Sequence, residues 1–171
     1  MPKLKSDQDL LTKAKDTLNN LMDLLIEQDA ENAHHFIEWL KTKAELRYGS
    51  EKQHSFYILN NCIYWAHLGQ NIGSEQDKHR PVLIVRTESK STICTIIPLT
   101  DERLNDGYWY HIDLENLNST ALVEQLRVIS KRRIDKPMRA SGKIVSISEK
   151  DWGSINNELM RLYTLKPYKK Q

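Results

Sequence analysis

Near residue 50 the hydrophobic period of this 171-residue chain changes from helical to extended, and that switch limits the folds open to it. Before it, Leu11, Ala14, Leu18, Leu21, Met22 and Leu25 recur every three or four residues, with Lys13, Asp16, Asn19 and Asp23 between them. Ser6 with Asp9 forms a capping-box pattern, and Asp29 can cap a second helix carrying Ala33, Phe36, Ile37, Leu40 and Ala44. A helical hairpin is therefore expected over residues 1–50. Leu11, Leu18 and Leu25 also stand at heptad spacing, which permits a coiled-coil partner.

After the switch, β-branched and aromatic residues arrive in short runs between polar clusters. Strands are expected near 61–67, 81–87, 92–97, 108–114, 120–129 and 143–147, close enough in sequence for a small, strongly curved sheet or barrel. Ser148 and Asp151 then form a capping box for a last helix, whose Trp152, Ile155, Leu159, Leu162 and Leu165 make one apolar stripe. The expected fold class is α+β, with the barrel and its C-terminal helix in residues 51–171.

Composition narrows the partners. Lys and Arg number 25 against 23 Asp and Glu, so any anion site must come from local clustering. No segment approaches a membrane span or a signal peptide, which predicts a cytoplasmic protein without membrane contact. Cys62 and Cys94 lack any ligand or disulfide spacing and read as reduced thiols. The six histidines are scattered without metal-ligand spacing, so no metal and no cofactor is expected. Walker and GxSxG signatures are absent.

Two clusters carry chemistry. The first is "GSEQDKHRPVLIV" with "IIPLT", where Arg80 ends a loop before one strand and Thr100 closes a neighbouring one. A guanidinium keeps its charge and can bond two oxygens at once, and a hydroxyl adds an orienting bond, which together suit a phosphate. The same residues also fit an Arg paired to a nearby acid and a Thr ending a strand. The second is "NSTALVEQLRVISKRRIDKPMR", which leads from Glu124, Gln125 and Arg127 into Lys131, Arg132, Arg133, Lys136 and Arg139, offset only by Asp135. That segment could track a phosphate backbone, with Tyr64, Trp65, Tyr108, Trp109 and Tyr110 on expected strands available to stack bases. A solvated charged face and ordinary core aromatics are the more common explanation of such a segment.

Four pieces in order, "GQNIGSEQDKHRPVLIV", "IIPLT", "STALVEQLRVISKRRI" and the final amphipathic helix, make residues 56–165 resemble the MazF/PemK family of toxin endoribonucleases. The resemblance implies an SH3-like barrel, a homodimer, metal-independent cleavage of single-stranded RNA, and inhibition by a cognate antitoxin lying in the RNA groove. Carried over by position, it implies Arg80 and Thr100 as a catalytic pair and Glu124 as the base. It implies Gly73, Ser74, Glu75 and Gln76 as the loop over the RNA, and Ser119, Gln125 and Arg127 as its lining. This chain has Leu122 where some members carry Arg, and Asp101 where serine commonly follows the threonine. A binding module on the same fold, without turnover, is the alternative. The first fifty residues fall outside the resemblance and could enlarge the core, extend a dimer, dock an antitoxin or shield the groove.

Overall fold

The first helix begins one residue later than the Ser6 pattern implies. In the computed structural model, which describes residues 3–50 and 54–164, Asp7 is the cap and its carboxylate accepts from the Leu10 amide at 3.0 Å. Ser6 instead turns its hydroxyl back to the Lys3 carbonyl, closing a short 3-10 turn. A carboxylate is an acceptor only and serves the orphan amides better than a hydroxyl already engaged as a donor. Helix α1 spans Gln8–Leu25 and α2 spans Ala30–Tyr48, with Asp29 capping α2 through the Asn32 amide as expected. The heptad stripe is not buried as a unit, because Leu18 is exposed and Leu25 is the only buried residue of α1. The chain divides into two compact units, Met1–Arg47 and Tyr48–Gln171.

The second unit is an antiparallel sheet built from β1 (Ile63–Gly69), β2 (Lys78–Thr87), β3 (Ile93–Thr100), β4 (His111–Asp113), β5 (Thr120–Leu122), β6 (Arg127–Ser130) and β7 (Ile134–Pro137). Its order is β4-β5-β3-β2-β1-β7, with β6 also pairing β3. Both faces of the central strands are covered. Tyr64, Ala66, Val82, Ile84, Cys94 and Ile96 pack into one cluster, while Ile63, Leu83, Ile97 and Leu99 pack into another with Ile155 of the last helix, α3 (Glu149–Tyr163). Burial on both sides is why these strands read as continuous apolar runs rather than alternating ones. The end strands β4 and β7 do not pair, so the expected barrel is not closed.

Three expected strands are shorter or broken. The run 120–129 is interrupted by a 3-10 turn, Val123–Gln125. Leu99 pairs with Ala121 on one side of it and Ile96 with Arg127 on the other, so pairing with β3 resumes three residues out of step. In the run 108–114 only His111–Asp113 is a strand, because the His111 amide bonds the Tyr108 carbonyl and closes a turn. The run 143–147 is reduced to β9 (Lys143–Ile144), paired with β8 (Arg139–Ala140), plus a bridge from Ser146 to Cys62. Strand β7 was not expected. It sits at the sheet end, where Pro137 can be tolerated.

The last helix begins where its sequence says. Ser148 and Asp151 form the full capping box. Asp151, 4% exposed, accepts from the Ser148 and Glu115 amides through its two oxygens, both at 3.2 Å, and so ties the helix to the β4–β5 connection. Ile155, Leu159 and Leu162 pack onto the sheet, and Leu165 lies outside the described residues. Asp151→Ala removes the acceptor of two amides and should cost about 2–3 kcal/mol in a urea or guanidinium melt. Both cysteines are free thiols, and burial pushes Cys94 up to about 11.

Candidate active site

Strand β2 starts at Lys78 rather than at Pro81, because Lys78 and His79 pair with Gly69 and His67 of β1. Arg80 therefore sits inside the strand instead of at its entry. Its Nε donates to the Asp77 carbonyl at 2.7 Å, and Nη2 lies 3.8 Å from the Asp77 carboxylate. The β2–β3 ladder pairs Val82 with Pro98. The same register carried two residues further sets Arg80 across from Thr100, and alternation puts both on the face of Val82 and Ile96. Thr100 is buried, not an open strand end, and its Oγ1 accepts from the Glu102 amide at 3.2 Å.

The loop 70–77 folds over the 3-10 turn that breaks the late strand. Gln125 clamps it from below, accepting from the Gln76 amide at 2.6 Å and donating to the Ser74 carbonyl at 3.1 Å. Asn71 and Arg127 both donate to the Gln76 carbonyl. Gly73 holds φ +63° with nothing within 4 Å of a Cβ, so the backbone conformation rather than space asks for glycine there. Ser74, Glu75, Glu124, Gln125, Leu126 and Arg127 line a groove of about 480 Å³ between loop and turn. Had the strand run unbroken through 123–125, Glu124 and Gln125 would alternate faces. The three-residue step places both at one groove.

Arg127 of this lining lies within electrostatic reach of both Arg80 and Arg133. Burial holds Arg127 below its ordinary range, and the nearby charges of Arg133 and Arg80 add to that, opposed by Glu75 and Asp77. Burial likewise lowers Arg133. Guanidinium stays charged regardless, so like charges packed together in partial burial create a strong local attraction for an anion. Three polar atoms of this region, Gln76 Oε1, Glu124 Oε2 and Arg127 Nε, are buried with no hydrogen-bond partner among the described residues. Such atoms are costly unless something polar reaches them.

A further constellation escaped the reading of the histidines. His111 bonds Asp106 Oδ2 through Nδ1 at 2.7 Å and faces Glu124 Oε1 through Nε2 at 3.3 Å, with its side chain 9% exposed. Burial alone would raise the Asp106 carboxyl, but the Tyr108 amide and the His111 ring outweigh it and hold it below its usual range. Tyr108, Trp109 and Tyr110 are in the turn before β4, not on a strand. Tyr108 and Trp109 are exposed, Tyr108 stacks on Tyr110, and Arg161 lies over the Trp109 ring. Tyr64, by contrast, is a core residue whose hydroxyl bonds the 57–59 backbone.

Not every expected residue joins the groove. The backbone hydrogen bonds of Ser119 stay within the Leu114–Ser119 connection. The basic segment does not form one face either: Lys131 bonds the Glu88 carbonyl, Arg132 that of Gly49, Arg133 those of His67 and Leu68, and Arg139 that of Gly142. Its cations are distributed as staples to separate carbonyls, and only Arg127 and Arg133 lie by the groove.

Known proteins resemble this chain in sequence and fold. The endoribonuclease MazF of Staphylococcus saprophyticus is 28% identical over 119 residues, covering 63% of this chain and 94% of that protein. The crystal structure of MazF from Deinococcus radiodurans shares the fold with a TM-score of 0.51 at 16% identity, covering 63% of this chain and 97% of that one. Residues 61–163 match the family described as PemK-like, MazF-like toxin of type II toxin-antitoxin system. That match takes in the loop, the strand-end threonine and the 3-10 turn, and the chain belongs to this family of toxins.

Proposed function

We propose that this toxin is a metal-independent endoribonuclease acting on single-stranded RNA at short sequences. The observation that carries the reading is the groove itself, where the 70–77 loop is clamped to the Glu124–Gln125 turn beside Arg127, within electrostatic reach of Arg80 and Arg133. In the reaction, the ribose 2'-oxygen forms a bond to the adjacent phosphorus as the bond to the 5'-oxygen breaks, leaving a 2',3'-cyclic phosphate and a 5'-hydroxyl. Glu124 takes the 2'-hydroxyl proton. Arg80 stabilises the extra negative charge on the phosphoryl oxygens and passes a proton to the leaving oxygen, an alkoxide more basic than guanidine. Thr100 donates its hydroxyl to the phosphate. Gly73, Ser74, Glu75, Gln76, Gln125 and Arg127 hold the RNA in line for attack, and Tyr108 and Trp109 offer faces on which bases stack.

The partners follow from the same surface. A groove with backbone groups on a loop and charge at its floor accepts an extended acidic peptide as readily as RNA, which is how the cognate antitoxin would inhibit. A homodimer in the cytoplasm completes the reading. The burial of Thr100 favours a second one, a module that binds RNA without turnover, since a hydroxyl with almost no open surface meets a phosphate poorly. Incubating the purified chain with a long single-stranded RNA in excess chelator separates them. Fragments cut at one recurring short sequence, with cyclic-phosphate and 5'-hydroxyl ends, are the expected result. Intact RNA that is nevertheless bound by a folded, inhibitor-free protein would favour the second reading.

A further inference from the structure

Three side chains far apart in sequence meet on the face of the sheet opposite Arg80. His67 and His79 are direct cross-strand partners in the β1–β2 ladder, with ring centroids 4.5 Å apart. Asp135 comes from β7, on the other side of β1. There the ladder pairs Trp65 with Lys136 and Ala66 with Ile134, so Asp135 is the extra residue of a bulge. A bulge re-aims the side chain it carries, and this one brings Asp135 Oδ2 to 3.3 Å from His79 Nε2. One ligand atom from each of the three residues lies within 4.8 Å of the other two. The Trp65 ring stacks on His79 and braces it.

We propose that His67, His79 and Asp135 form a binding site for one Zn²⁺ ion, separate from the RNA groove. Zn²⁺ takes imidazole nitrogens and carboxylate oxygens at about 2.0–2.2 Å, which sets tetrahedral ligand atoms roughly 3.4 Å apart. The His79–Asp135 pair already stands at 3.3 Å. Closing the widest separation from 4.8 Å needs a shift of about 1.4 Å, within reach of side-chain rotation on residues that are not packed into the core. Two imidazoles and one carboxylate suit Zn²⁺ and its late first-row neighbours and disfavour Mg²⁺ and Ca²⁺, which ask for oxygen shells. His79 and Asp135 are each more than a third exposed, leaving the fourth position to water. Strand alternation turns His79 away from the face that carries Arg80. The ion therefore cross-links β1, β2 and β7 without touching the reacting phosphate.

The test is calorimetric titration of the chelator-treated full chain with ZnCl₂, repeated on Asp135→Asn and His67→Gln, with circular dichroism as the folding check. Asparagine keeps the shape of Asp135 but loses the charged ligand. One equivalent of Zn²⁺ at micromolar affinity, a rise in melting temperature on loading, and weakening of at least about tenfold in each variant are expected. Co²⁺ added to the wild type should give the intense visible band of a four-coordinate site. Wild type that binds no more tightly than either folded variant, or an octahedral Co²⁺ spectrum with no saturable Zn²⁺ binding, would overturn the proposal. Cleavage of RNA in chelator is an independent measurement, so failure of one reading leaves the other standing.

Discussion

Arg80→Ala should lower the single-turnover rate of RNA cleavage by roughly two to three orders of magnitude, the usual effect of removing one donor aimed at developing charge. Its effect on stability should be small, and the reason is local. The side chain gives up one hydrogen bond to the Asp77 carbonyl and a 3.8 Å contact with its carboxylate, together worth about 1 kcal/mol. Against that, removing the guanidinium relieves like-charge repulsion with Arg127. Arg80→Lys should keep the charge but lose the planar two-pronged donor, and fall between alanine and wild type. A fluorogenic RNA assay beside a thermal melt separates the two quantities. A folded Arg80→Ala protein cutting at the wild-type rate would remove this residue from the chemistry and leave the cluster a purely binding role.

The legible parts of this fold are those decided within a few residues. Ser148 and Asp151 lie three apart and cap α3 as their spacing implies, and the buried central strands announce themselves as apolar runs. What the sequence conceals is decided by pairing. Nothing local distinguishes residues 120–129 from one continuous strand, since the break at Val123–Gln125 comes from a three-residue change of register against β3. The same holds for the site. Arg80 and Thr100 belong together only once β2 and β3 are aligned, and the clamp from Gln125 to Gln76 spans 49 positions. Histidine spacing is silent for this reason: His67 meets His79 across a ladder and Asp135 through a bulge, while His111 meets Glu124 through a turn. The basic run between Arg127 and Arg139 misled in the opposite sense, because consecutive cations on turns and short strands point to different carbonyls.

His111 gives the second large effect its form. With Asp106 on Nδ1 and Glu124 on Nε2, the ring bridges the two carboxylates and fixes the orientation of Glu124 against the turn before β4. The other oxygen, Oε2, is buried without a partner among the described residues, while the Glu124 side chain as a whole lines the groove. Glu124→Gln should therefore lower cleavage by about 10²–10³ at neutral pH, since the amide cannot accept the 2'-hydroxyl proton. His111→Asn can still donate to Asp106 but no longer reaches Glu124. It should cost roughly tenfold in rate with little change in RNA affinity, the signature of a residue that positions the base rather than binding substrate. A Glu124→Gln rate unchanged across neutral pH would exclude this carboxylate as the base, and an unchanged His111→Asn rate would reduce the array to a structural tie between the β4 turn and the groove.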